Sequence, residues 1–109
     1  SAHQVALNQT ELVAQAVNRR EPRTFAGASL DRYINRQIFP HTKAELAIPL
    51  EIGDRTIGVL DVHSTHEDAF DGNEILVLET LSRQVVVALE NARVYEVERA
   101  AAEQLRKLS

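Results

Sequence analysis

The sequence predicts an α+β fold: a small antiparallel sheet, at least a β-hairpin plus one short strand, packed with helices and followed by a long C-terminal helix. Three observations carry this. Residues 45–52, Glu-Leu-Ala-Ile-Pro-Leu-Glu-Ile, alternate so that Leu46, Ile48, Leu50 and Ile52 share one face. Gly53-Asp54 then fits a two-residue hairpin turn before the apolar run Thr56–Ser64. Beyond Phe70, Asp71 and Glu74 have capping-box spacing, and Phe70 and Ile75 have staple spacing, ahead of a helical pattern that continues to Leu108.

The remaining elements follow in order. Leu7 to Arg20 reads as a helix, with Asn8 and Glu11 as a capping box and an apolar stripe of Leu12, Val13, Ala16 and Val17 closed by Pro22. Arg23–Ala26 is a short strand ended by Gly27. Residues 27–44 form a long connection in which Ser29 caps a turn of helix carrying Leu30, Tyr33 and Ile34. Pro49 donates no ladder hydrogen bond, so the first hairpin strand belongs near an edge or at a bulge. In the plain two-residue-turn register Leu50 faces Ile57, Ile48 faces Val59 and Leu46 faces Asp61, so Asp61 and His63 extend the aliphatic row. The return strand is apolar on both faces and reads as covered on both sides. Gly58 on that strand suggests close approach of a helix.

The helix after Phe70 would be about 55 Å long. Its first half is apolar around much of its girth, which suits two partners, the sheet and a second copy of the helix. Its second half turns polar, while Val94, Val97, Ala101, Gln104 and Leu108 keep a 3–4 spacing. The division expected is a folded domain over 1–97 and a polar helical continuation over 98–109. Val85, Leu89, Ala92, Val94, Ala101 and Leu108 are the candidate dimer residues.

Composition narrows the chemistry. The 109 residues suit one small domain, 44% hydrophobic and 26% charged, with a formal charge of -4. That balance argues against nucleic acid or an anionic membrane as partner. The absence of cysteine removes disulfides, thiolate metal sites and cysteine nucleophiles, and it is compatible with a cytoplasmic location. No apolar run reaches the roughly 20 residues a membrane helix needs. His63 and His66 lie three apart without a clearly placed third ligand, so no metal site is expected. Asp61 has two readings: it holds donor groups of a ligand, or it accepts from backbone N–H groups where the strand leaves the sheet. No serine has a nucleophile's context and no paired acid and base is indicated, so the chain does not read as an enzyme.

Two segments resemble a known family. ELAIPLEIGDRTIGVLDVHS, followed by AFDGNEILVLETLSRQVVVALENARVYE, is similar to the C-terminal half of GAF domains. The segment ELVAQAVNRREPRTFAGAS is similar to the helix and strand that precede the family's ligand-covering region. The resemblance implies a truncated GAF-like sensor of the kind found in bacterial sensor histidine kinases and cyclic-di-nucleotide enzymes. Its expected partners are a second copy through the C-terminal helix and an output domain. Members of the family usually begin with a helix and two strands that this segment lacks, so either it is truncated, or it is a short member, or a partner supplies the strands; dimerisation is expected, with strand exchange as one form of it.

The resemblance marks Tyr33, Phe39 and His41 on the connection, with Asp61 and His63, as candidate ligand-facing residues. It leaves the ligand open. Cyclic-nucleotide-binding members carry an Asn-Lys pair where this chain has His63-Ser64, and the lysine is missing. Bilin-linked and methionine-sulfoxide-reducing members depend on cysteines that are absent here. A haem-binding reading keeps His41 and His63 as axial-ligand candidates. The alternative to a sensor is a ligand-free dimerisation scaffold.

Overall fold

The computed structural model describes residues 10–108. Helix α1 spans Thr10–Arg19, strand β1 Arg23–Ala26, helix α2 Gly27–Asp31, strand β2 Ala44–Ile52, strand β3 Arg55–Ser64 and helix α3 Gly72–Leu108. The predicted start of the first helix at Leu7, with its Asn8 cap, lies outside the described residues. That helix ends one residue before the predicted Arg20, which takes φ of 55°. Its guanidinium donates to the Gly53 carbonyl at 3.0 Å and pairs with Glu51 at 3.4 Å, tying the helix end to the hairpin.

The three strands form an antiparallel sheet in the order β1-β2-β3. β2 is therefore the central strand, where an edge position was one of the two expectations set by Pro49. The proline is accommodated because β1 pairs only with Ala44–Ala47, so Pro49 lies beyond that ladder. The hairpin turn is Gly53-Asp54 as predicted, with Ile52 opposite Arg55. Gly53 has φ of 60° and Asp54 is not left-handed, which is the pattern of a II′ turn.

Beyond the turn the register departs from expectation. Glu51 pairs with Thr56, but Leu50 pairs with Gly58, leaving Ile57 as the extra residue of a β-bulge. Everything past it is shifted by one. Leu46, Ile48 and Leu50 now face Val62, Leu60 and Gly58, while Ala47 faces Asp61 and Glu45 faces His63. Asp61 and His63 thus lie on the opposite side of the sheet from the aliphatic row. A one-residue slip exchanges the faces because side chains alternate with period two. Gly58 accommodates the Leu50 side chain across the ladder, and not a helix: a Cβ there would meet Leu50 Cδ1 at 3.5 Å.

Each face of β2 has its own cover. Leu12 and Ala16 of α1, both fully buried, pack on Ala47 with Phe25 and Val59 beside them. α3 packs against β2 from the Ile48 side, where Ile48 shares a groove with Glu79, Ser82 and Val86. Only Ser82 of α3 is buried, and its hydroxyl donates to the Glu79 carbonyl at 2.7 Å. The helix begins as predicted, with the Glu74 N–H donating to Asp71 Oδ1 at 2.8 Å. It runs unbroken for 37 residues, and from Asn91 onward every described side chain is exposed.

Candidate functional site

The bulge builds a polar cluster inside the sheet face that α1 covers. Glu45 comes from β2, and Asp61 and His63, two residues apart on β3, reach the same side. His63 Nε2 lies 3.4 Å from Asp61 Oδ2 and 3.5 Å from Glu45 Oε2. On the other edge of the ring, Nδ1 is 3.1 Å from Thr42 Oγ1. Phe39 closes over the imidazole, with ring centroids 4.5 Å apart. Tyr33 stacks at 4.8 Å on Phe25, which stands opposite Glu45 in the ladder. A shallow concavity lined by Phe25, Ala28, Ser29, Arg32 and Tyr33 borders this side.

Glu45 is completely buried, and the Asp61 and His63 side chains retain only 12% and 19% exposure. Removal from water disfavours charge on a carboxyl group. Burial therefore pushes Glu45 up to about 7, with the Asp61 carboxylate adding to the shift and the His63 imidazole opposing it. Burial also opposes charge on His63, but the hydrogen bonds and negative charge of Asp61 and Glu45 outweigh it and lift the imidazole to about 9. At neutral pH the cluster is a protonated imidazole held between two carboxyl groups. Asp61 Oδ1 is buried and accepts no hydrogen bond among the described residues. In place of the backbone N–H partners of one reading, Asp61 meets His63 and Glu45.

Of the five residues singled out in the sequence, Asp61 and His63 are joined, Phe39 covers them, and Tyr33 flanks them on Phe25. His41 is exposed in the turn before β2. Glu45 and Thr42 were missed. A glutamate inside an alternating strand reads as the solvent-facing member of the pair, and only the bulged register reveals its partner. Along α3, Val85, Leu89, Ala92, Val94, Ala101 and Leu108 are all exposed. At 3.6 residues per turn, the first three share one stripe and the last three lie on roughly the opposite side. They form two seams and not one.

The architecture is that of a small α+β domain: a sheet with a covered polar cluster on one face and a long projecting helix on the other. A family profile for the GAF domain matches residues 1–90, and the chain belongs to that family. Among solved structures, the GAF domain of a two-component sensor histidine kinase from Bacillus halodurans is similar, with a TM-score of 0.63 and 22% identity. The match covers 78% of this chain and 60% of that one. The fRMsr of Staphylococcus aureus, in complex with its substrate, is similar with a TM-score of 0.58 and 24% identity. There the match covers 69% of this chain and 48% of that one, so the chain spans about half to three-fifths of the length of these structures. No curated protein sequence matches. Among the described residues no helix is long and apolar enough to cross a membrane.

Proposed function

We propose that this GAF domain senses a small molecule at the Glu45–Asp61–His63 side of the sheet and relays its occupancy through α3 to an output domain. The observation that carries this reading is the full burial of Glu45 beside Asp61 and His63. Buried charged groups seldom stabilise a fold more than apolar residues of similar size would, and clusters with perturbed ionisation concentrate at functional sites. The concavity lined by Phe25 and Tyr33 lies one strand away, Phe25 standing opposite Glu45 in the ladder, and offers a place for a ligand near the cluster. β2 supplies the route, since Glu45 points to one face while Ile48 meets α3 on the other. A similar fold in fRMsr holds a substrate, and another serves a sensor histidine kinase, which supports both halves of the reading.

The same reading includes a homodimer through α3. Among the described residues, the exposed large apolar side chains other than Ile38 and Ile57 all belong to this helix, among them Leu76, Val77, Leu81, Val87 and Val97. A second copy of the helix is the simplest cover for such a surface. The domain acts by biasing the packing of the helix pair, and non-catalytic coupling of this kind is typically worth about 1–3 kcal/mol. A melting-temperature screen against metabolites, repeated with Glu45→Gln, tests the sensor. Ligands that stabilise the wild type and not the variant support it. If none does, while light scattering still shows a dimer, the exposed helix favours the scaffold reading instead.

A further inference from the structure

We propose that Glu45, Asp61 and His63 form a binding site for a zinc-type divalent cation, an assignment that rests on this cluster being the ligand site of the domain. Each residue offers one donor atom, and the three atoms lie within 4.8 Å of one another. The set is one imidazole and two carboxylates, a mixture of nitrogen and oxygen donors that borderline ions such as zinc accept. Distances discriminate further. Bonds of about 2.0–2.2 Å place neighbouring donors of a tetrahedral ion roughly 3.3–3.6 Å apart, whereas octahedral geometry at the same bond lengths needs about 2.8–3.1 Å. The two measured edges, from His63 Nε2 to Asp61 Oδ2 and to Glu45 Oε2, are 3.4 and 3.5 Å. Both edges from the imidazole fall in the tetrahedral range, and the three donor atoms all lie within 4.8 Å of one another, so the carboxylates need only close on the ion.

Two further features fit a cation. Thr42 Oγ1, 3.1 Å from Nδ1, orients the ring so that Nε2 faces the carboxylates, the outer contact that metal-bound histidines usually make. Asp61 Oδ1, buried and without a donor among the described residues, is an acceptor that a positive ion would satisfy. Phe39 on the imidazole face supplies an apolar wall. The two carboxyl groups, once ionised, would neutralise a dication, and the partial exposure of Asp61 and His63 leaves the site reachable from solvent.

The test uses the full chain stripped with a chelator. Titration calorimetry with zinc chloride should give one ion per chain, and cobalt(II) should give the intense visible bands of four-coordinate geometry. Glu45→Gln, Asp61→Asn and His63→Gln should each weaken zinc binding at least tenfold with the far-ultraviolet circular dichroism unchanged. Thr42→Val, a positioning change, should weaken it about 10–100-fold. His41→Gln and His66→Gln, at exposed histidines away from the cluster, should have no effect. Failure of the wild type to saturate at one ion, a six-coordinate cobalt spectrum, or binding lost in the His41 and His66 variants but kept in His63→Gln would overturn the assignment. An organic ligand bound by the metal-free protein through Glu45 would overturn it too, while leaving the sensor reading intact. Absence of both metal and organic ligand would remove the two together.

Discussion

Raising the pH of the chelator-treated protein from 6 to 9 should destabilise it, and Glu45→Gln should blunt the effect. Glu45 moves from 4.5 to about 7 on folding, and His63 from 6.5 to about 9. Both folded-state values are raised, so the folded chain binds more protons than the unfolded chain. Stability from each group is complete below its unfolded value and is lost as pH rises through its folded value. The window is therefore about 4.5–7 for Glu45 and 6.5–9 for His63. A shift of this size for one group corresponds to about 3 kcal/mol. The two cannot be added, because they share one set of hydrogen bonds and titrate as a coupled system. A combined loss of about 2–3 kcal/mol between pH 6 and 9 is expected. For a domain of this length that lowers the melting temperature by roughly 10 °C. Urea denaturation at half-unit pH steps measures it directly. In Glu45→Gln the Glu45 limb disappears and His63 loses one of its two acidic partners, so the slope should shrink across the whole window. A wild-type stability that is flat or rises from pH 6 to 9, or a variant with the same slope, would refute the account of the cluster.

Three other expectations concern the helix and the glycines. Val85→Glu with Leu89→Glu should dissociate the dimer in light scattering and shift the melting temperature of the monomer by little, because both side chains are exposed on α3. Gly53→Ala should cost about 1–2 kcal/mol by urea denaturation, since φ of 60° disfavours a Cβ although nothing lies within 4 Å of it. Gly58→Ala should be tolerated within about 1 kcal/mol, the added Cβ meeting Leu50 at ordinary contact distance.

Most of the fold was legible because its signals are local. Alternation over 45–52, the Gly53-Asp54 turn and the Asp71 cap each state a backbone geometry within a few residues, and each element is found there. The short strand Arg23–Ala26 was legible as a piece bounded by Pro22 and Gly27. Half of the site was legible and half was not. Asp61 and His63 stand out as polar residues at the end of an apolar strand. Glu45 does not, because its burial depends on which residue of β3 lies opposite it. Similarly, the amphipathic width of α3 was clear, but which side meets the sheet was not. Packing chose the side of Ser82 and Val86 and left Leu81, Val85 and Leu89 outside.

The bulge at Ile57 ties these observations together, and it can be tested by removal. In the unbulged register of the full-length strand, Asp61 and His63 would lie on the Leu46–Ile48–Leu50 side. Burying two polar groups there without partners would cost several kcal/mol. The bulge sends Leu60 and Val62 to that side instead and gathers Asp61 and His63 against Glu45. What selects the register is thus the sorting of apolar and polar side chains beyond the bulge, and not the turn. Ile57 itself is paired with nothing in the ladder and is 37% exposed. Deleting Ile57 should therefore leave Leu50 opposite Gly58 and Glu45 opposite His63, and should only flatten the local twist. The shortened chain should keep the pH dependence described above, with a loss of stability of roughly 1–2 kcal/mol from the missing side chain. If the deletion abolishes that pH dependence while the chain remains folded, Glu45 and His63 have not stayed opposite one another, and the sorting argument fails.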